Sequence, residues 1–394
     1  MGEHEPNHTG PYPLPPWKRA VIKVGSALLA PEGQGTSTRY LLPLARLIAE
    51  KKREGKEIVL VSSGAVAAGR SFYPKSRPGA RSLVEKQALA AMGQTRLMQL
   101  WSRFFDFPCA QILLTHDDIH HRKRFVNAKN TLLSLLGMGA LPIVNENDTV
   151  AVEELKVGDN DNLAAHVAVL IEADLLLIFS DIDGLYDADP RKNPEADLIR
   201  EVHQVDGSIL CLAGGSGSSV GTGGMITKLQ AAGKAADRGI NTVILNGKRG
   251  QAIDHLLNEK ADGTFFHRTA QAQAAKKHWI SHALQVQGTV EVDAGARRAL
   301  LTEGASLLPS GVTACSGSFQ RGDAVTVVYA GESGEEVLGK GIVQYNHADL
   351  NQIKGGQSSD IRARLGYAYT PVIIHRNDLV TGMPVEPVAE EESE

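Results

Sequence analysis

The sequence predicts an α/β protein: a three-layer α/β/α sandwich around a mainly parallel sheet, followed by a small, mostly β domain. Three observations carry this. From about Lys18 to Asn246, short Val/Ile/Leu runs alternate with longer stretches of helical periodicity, the order that doubly wound sheets require. The short runs are apolar almost without interruption, as in strands covered on both faces. After about His278 the texture changes to short strand-like pieces cut by turn clusters, the pattern of a compact β unit.

Residues 1–17, MGEHEPNHTGPYPLPPW, are polar and proline-rich and read as a disordered arm without the apolar core of a signal peptide. The first domain is placed at 18–278. Its strands are expected at Ala20–Val24, Ile58–Ser62, Gln111–Leu114, Pro142–Val144, Leu175–Phe179 and Thr242–Leu245. Its helices are expected at Tyr40–Lys52, Ser82–Phe105, Arg124–Leu136, Leu163–Ile171 and Lys228–Arg238, where apolar residues recur at helical spacing. The segment THDDIHHRKRF, with His120 and His121, reads as a charged loop. DGLYDADPRKNP reads as a turn-rich excursion after the fifth strand. The second domain is placed at 283–376, with helical pattern only at Arg297–Leu301 and His347–Ile353. Residues 377–394 form an acidic tail.

Composition excludes several classes. The chain of 394 residues is 42% hydrophobic and 22% charged, with a net charge of −4, which gives no overall electrostatic case for a nucleic-acid or membrane partner. Cys109, Cys211 and Cys315 stand far apart with no CxxC. That argues against a zinc ribbon or a disulfide framework and suits a reducing, cytoplasmic compartment. The most apolar stretch, Leu163 to Phe179, contains Glu172 and Asp174 and is too short and too charged to span a bilayer.

The chemistry gathers where strands end. The first strand runs into Gly25-Ser26, the second into Ser62-Ser63-Gly64, the fourth into Asn145-Glu146-Asn147-Asp148, and the fifth into Ser180-Asp181 and Asp183. Each alone is an ordinary turn. Four such ends in a parallel sheet converge on one edge, where ligands of open α/β sheets bind. Lys23 is unusual because it sits inside an apolar strand, where an ammonium needs a partner. Either it faces solvent at an edge, or the strand aims a cation at a phosphate.

Two further stretches carry signal. AGGSGSSVGTGGMITKLQAAGKAADRG, Ala213 to Gly239, runs from a Gly/Ser loop into a helix starting near Met225–Thr227. Its backbone N–H groups and helix N-terminus suit phosphate. Lys228 in the first turn opposes the helix dipole by about 0.3–1 kcal/mol, which a nearby anion would explain. The loop is neither a Walker A motif nor a dinucleotide fingerprint. In KVGDNDNLAAHVA, Asp159, Asn160, Asp161 and Asn162 precede an apolar run. As a calcium loop the stretch fails, with Ala164 where glycine is needed and Leu170 where the bidentate glutamate belongs. One of the four could cap the following helix. The surplus points to a polar site that could bind an amino acid, or to Asp161 holding lysines by charge pairing.

The segments VIKVGS, SSGAVAAG, NENDTV, KVGDNDNL, SDIDGLYDADP and GTGGMITK, in this order and spacing, resemble the amino acid kinase family and within it the glutamate 5-kinases. The stretch after residue 283 resembles a PUA domain. The resemblance covers about Lys18 to Val380. It implies the amino acid kinase fold, and ATP-dependent phosphorylation of the γ-carboxylate of L-glutamate as the first step of proline synthesis, with Mg2+ carried on the ATP phosphates. Matched motif to motif, it implies that Lys23 and Lys228 contact ATP phosphates and that Asp161 organises both lysines. Ser63, Asp148 and Asn160 would bind glutamate. Ser180, Asp181, Thr222, Gly223, Gly224, Met225, Ile226, Thr227 and Lys228 would line the nucleotide site. It also implies feedback inhibition by proline and a homodimer or homotetramer.

The chemistry agrees with that implication. A carboxylate nucleophile, with unperturbed pKa about 4.3, needs no general base at neutral pH. It needs positioning and cations on the transferring phosphoryl group. The rival readings are another member of the family acting on aspartate, acetylglutamate, carbamate or UMP, and an RNA-binding PUA protein. Against the last, residues 279–376 hold eight Lys and Arg against nine Asp and Glu, where a phosphate-backbone binder shows a basic excess.

Overall fold

In the computed structural model, the described residues are 10–31, 35–72, 82–150, 160–213, 224–269, 286–331, 334–368 and 370–381. The chain divides into two compact units, 1–269 and 270–394. The expected boundary between 278 and 283 lies outside the described residues.

The first unit is built on an eight-stranded sheet. Its strands are β2 (Arg19–Val24), β3 (Glu57–Ser62), β4 (Cys109–Leu114), β5 (Leu141–Glu146), β6 (Leu175–Ser180), β7 (Glu201–Val202), β8 (Asn241–Asn246) and β10 (Gly263–Phe266), while β1 (Tyr12–Pro13) and β9 (Lys260–Ala261) form a separate two-stranded pair. The sheet order is β4-β5-β3-β2-β6-β8-β10-β7. The first six are mutually parallel, and β10 runs antiparallel to β8. The chain leaves β2 toward β3 on one side and later returns to β6 on the other. The C-terminal end of β2 is therefore the topological switch point of the sheet.

Helices cover both faces: α1 (Ser26–Leu29), α2 (Leu41–Arg53), α3 (Ala65–Gly69), α4 (Leu83–Ser102), α5 (His116–His120), α6 (Arg122–Gly137), α7 (Asn160–Leu170), α8 (Gly207–Ala213), α9 (Met225–Ala236) and α10 (Gly250–Leu257). Two buried clusters follow from strand alternation. Val21, Val59, Val144 and Ile178 face α6, α7 and α9 on one side. Ile22, Leu60, Ile143 and Leu177 face α2, α4 and α10 on the other. Each fully buried Leu or Ile contributes about 1.5–3 kcal/mol. Gly93 permits the close packing of α4 on α3, since an added Cβ would lie 1.8 Å from the Ala65 carbonyl oxygen.

Three expectations change. Residues 10–17 of the arm expected to be disordered are ordered. β1 pairs with β9, Tyr12 stacks on Phe265 at 4.3 Å, and Trp17 is buried with its indole N–H donating to Glu259 at 2.7 Å. Aromatic burial outweighs the proline-rich composition there. The segment around His120 is helical rather than a loop, because Thr115 and Asp118 form a capping box that starts α5. The edge strand β7 and its neighbour β10 were not anticipated, being too short to show periodicity.

The second unit is a five-stranded sheet of β11 (Val286–Val292), β12 (Val312–Gly317), β13 (Ala324–Gly331), β14 (Gly334–Val343) and β15 (Ile374–Thr381), ordered β12-β11-β13-β14-β15. All neighbours are antiparallel except β11 and β13. Helices at Ala294–Thr302 and His347–Ile353 are capped by Asp293 and Asn346. Val290, Phe319, Val327, Tyr345 and Leu350 belong to its core. β15 continues past residue 376, so the domain extends into the stretch read as the start of the acidic tail, because Leu379, Val380 and Thr381 pair with β14.

Candidate active site

Lys23 is the penultimate residue of β2, at its C-terminal end, flanked in register by Val61 of β3 and Ile178 of β6. Only 4% of it is exposed. Its Nζ lies 2.5 Å from Oδ1 of Asp161, a carboxylate with no exposed surface. The other oxygen of Asp161 accepts from Lys228 Nζ at 3.0 Å and from the Thr227 hydroxyl at 3.1 Å. Lys228 is 5% exposed. One buried carboxylate on α7 thus ties the central strand to the first turn of α9. Desolvating three charges costs several kcal/mol per ion unless they are paired and hydrogen-bonded, which Asp161 provides for both lysines.

α7 begins at Asn160, two residues within the polar stretch, so Asp161 lies in its first turn and points inward. Asp161 is therefore an internal anchor of the helix, whereas the sequence allowed a cap there. Asn160 donates through one amide nitrogen to Ser63 Oγ at 2.7 Å and to Asn145 Oδ1 at 2.9 Å. Asn145 in turn donates to Gln94 Oε1 at 2.9 Å. Ser63 follows β3, and Gly64, at φ +100°, turns the chain into α3. A non-glycine residue would be strained there. Asn160 and Ser63 are thus brought together, one residue from the lysine clamp. Asp148 lies in the turn beyond β5 and is half-buried.

On the other side of β2, Ser180 ends β6 and is buried, while Asp181 is exposed. The Asp181 carboxylate lies 3.8 Å from Lys248 Nζ. The next strand end adds Asn246, which donates to Asp183 at 2.9 Å, and Arg249, 3.2 Å from the same carboxylate. Gly224 precedes α9 without any side-chain cap, so the first N–H groups of that helix form an anion-favouring end. Met225 packs against the core, leaving only its backbone for a ligand, and Ile226 is exposed. Thr222 and Gly223 lie outside the described residues.

Sequence reasoning missed Gln94, Asn145 as a link to Asn160, and the Asn246–Arg249 strand end. The last was available: LNGKR after the sixth strand repeats the turn grammar of the other ends. Gln94 had no signal, being one polar residue inside a helix.

A rigid parallel sheet therefore aims two buried ammonium groups and a helix N-terminus at one edge, beside an amide–hydroxyl network. That equipment stabilises charge on a transferring phosphoryl group. The model of the amino acid kinase family matches residues 18–246, and that of the PUA domain matches residues 288–365. The chain belongs to the amino acid kinase family, and by full-length kinship to its glutamate 5-kinases. It is 54% identical to the glutamate 5-kinase of Salinibacter ruber over 93% of this chain and 98% of that one. Identity to the glutamate 5-kinase of Idiomarina loihiensis is 52%, over 93% and 98% of the two chains. That of Xylella fastidiosa strain 9a5c is 49% identical over 96% and 99%. No described helix is long and apolar enough to cross a membrane.

Proposed function

We propose that this chain transfers the γ-phosphoryl group of ATP to the γ-carboxylate of L-glutamate, giving γ-glutamyl phosphate and ADP as the opening step of proline synthesis. The observation that carries the reading is Asp161 bridging Lys23 and Lys228 at the switch point of the sheet. Lys228, held by one of its three N–H donors, offers the others to phosphate oxygens, and Lys23 approaches the same phosphates from the strand. The N-terminus of α9, with Thr222 to Lys228, cradles the nucleotide, and Ser180 and Asp181 line its other side. Ser63 and Asn160 hold the carboxylate end of glutamate, and Asp148 takes its ammonium. Mg2+ would be carried on the ATP phosphates, where it would add positive charge for the transferring phosphoryl group, and Asp181 is the nearby carboxylate that would face it. The acceptor is already ionised at neutral pH, so no histidine or cysteine base is needed. The Cys109 thiol is pushed up by burial despite nearby Lys52, so it is not an activated nucleophile. Proline competes for the glutamate pocket as a feedback inhibitor, and the chain works as a homodimer or homotetramer.

The test is ATP turnover with Mg2+ and L-glutamate, trapping the acyl phosphate as its hydroxamate, with L-aspartate and N-acetylglutamate alongside. Glutamate-dependent hydroxamate is expected. Turnover with another acceptor would discard the Asp148 and Asn160 roles while keeping those of the lysines.

A further inference from the structure

At the opposite edge of the sheet, β7 and β10 bring together three residues that the kinase reading does not use. β7 is the outermost strand and pairs parallel with β10, Glu201 opposite Phe265 and Val202 opposite Phe266. His267 follows β10, its backbone N–H donating to the Val202 carbonyl at 2.9 Å. Glu201 pairs with Phe265, so His267, two residues beyond Phe265, lies on the face of Glu201, and His203 follows at the bend that ends β7. The His267 Nε2 lies 2.9 Å from Glu201 Oε2. The His203 and His267 rings stack at 4.3 Å. One donor atom from each of the three residues falls within 4.8 Å of the others. Phe266 pairs with Thr242 at the start of β8, while Asn246 at its other end pairs with Ser180. The cluster thus lies at the opposite end of the strands from Ser180, with β10, β8 and β6 between β7 and the β2 that carries Lys23.

We propose that Glu201, His203 and His267 form a divalent transition-metal site, with Zn2+ as the fitting ion, that fastens the edge strand β7 to β10. Two imidazoles and a carboxylate are the borderline donor set that Zn2+ takes, whereas Mg2+ and Ca2+ take oxygen ligands. Tetrahedral Zn–N distances of about 2.0–2.1 Å require donors about 3.3 Å apart, which small side-chain rotations reach from the present spacing. His203 is exposed, leaving the fourth position open to water. An ion pair between Glu201 and His267 would account for that contact alone. It gives His203 no reason to stack over the same ring at the same carboxylate. Tyr12 meets His267 edge-on at 5.8 Å, so the metal also steadies the anchored end of the N-terminal segment.

The experiment is a Zn2+ titration of the metal-free full chain against a chromophoric chelator, with Mg2+ in excess, and thermal unfolding with and without Zn2+. Wild type is expected to bind one Zn2+ per chain and to unfold at higher temperature with it. His203→Ala and His267→Ala should each weaken binding by more than the about 10–100-fold that loss of an outer-shell partner costs, and should abolish the thermal shift. Kinase turnover, unchanged in both, verifies their folding. His4→Ala/His8→Ala, which removes the two N-terminal histidines, should bind as wild type does. Zn2+ binding that survives in His203→Ala, that is lost only in His4→Ala/His8→Ala, or that is absent from wild type overturns the assignment.

Discussion

Two corners of the kinase unit bury a lysine against carboxylates and use it differently. Lys51 on α2 is 2% exposed. It donates to both oxygens of Glu54 at 3.0 and 3.3 Å, to Glu259 at 2.6 Å and to the Leu257 carbonyl at 3.0 Å. Lys228 is buried to a similar degree, yet among the described residues it donates only to Asp161, a carboxylate it shares with Lys23. At the first corner two carboxylates surround one ammonium, and every donor has a protein acceptor. At the second, one carboxylate is divided between two ammonium groups. Burial alone therefore does not mark a functional lysine. Lys228 differs in having one protein acceptor among the described residues for its three donors.

Substitutions at each corner test the contrast. The largest effect belongs to Lys228→Met and Lys23→Met. Each should lower kcat in the hydroxamate assay by about 100–1,000-fold, the cost of losing one preorganised charge-stabilising donor. The unfolding midpoint should stay near wild type, and a kcat left unchanged would remove that lysine from the site. Asp161→Asn should lose both activity and stability, by about 3–5 kcal/mol, because two buried ammonium groups lose their shared counter-charge. Urea unfolding reads this directly, and an unaltered midpoint would mean that the clamp is well hydrated. Asp148→Ala is expected to raise the glutamate KM by about 10–100-fold, as for a hydrogen bond to a charged group, with kcat held. A KM at the wild-type value would count against ammonium recognition there.

The smallest expected effect is at the saturated corner. Lys51→Met should cost about 1–3 kcal/mol of stability and leave turnover unchanged. Burial pulls the Lys51 pKa down, but the contacts to Glu259 and Glu54 outweigh it and hold it above the usual lysine value. A raised folded-state pKa means that the contribution is fully present below the unfolded value of about 10.4. It is lost as pH rises through the folded one. The gap between wild type and Lys51→Met in urea melts should be flat from neutral pH to about pH 10 and close above it. A gap that closes near neutrality would contradict this account of the corner.

The layering of the molecule was legible because its strands are continuous apolar runs and its helices long and periodic. What escaped was short or non-local. β7 has two residues. β1 is held by aromatic contacts to residues far along the chain, and Glu201 and His267 are 66 positions apart. The order of residues 10–17 escaped for the same reason, since composition records proline and polarity but not the Phe265 ring that stacks on Tyr12.

By itself the sequence determined that a lysine lies inside a buried strand, that a glycine-rich loop runs into a helix carrying a second lysine, and that four polar residues stand together before a third element. Alternation and periodicity are local properties, and so they survive in one dimension. Only the tertiary structure decided that Asp161 meets Lys23 and Lys228 while the neighbouring Asn162, also buried, meets Lys234. Successive residues on a helix rotate by about 100°, and the packing of α7 between β2 and α9 turns Asp161, and not its neighbours, toward both lysines. It likewise decided that Asn160 reaches Ser63 and Asn145, since the distance between strand ends is set by the pairing of strands and not by their order along the chain.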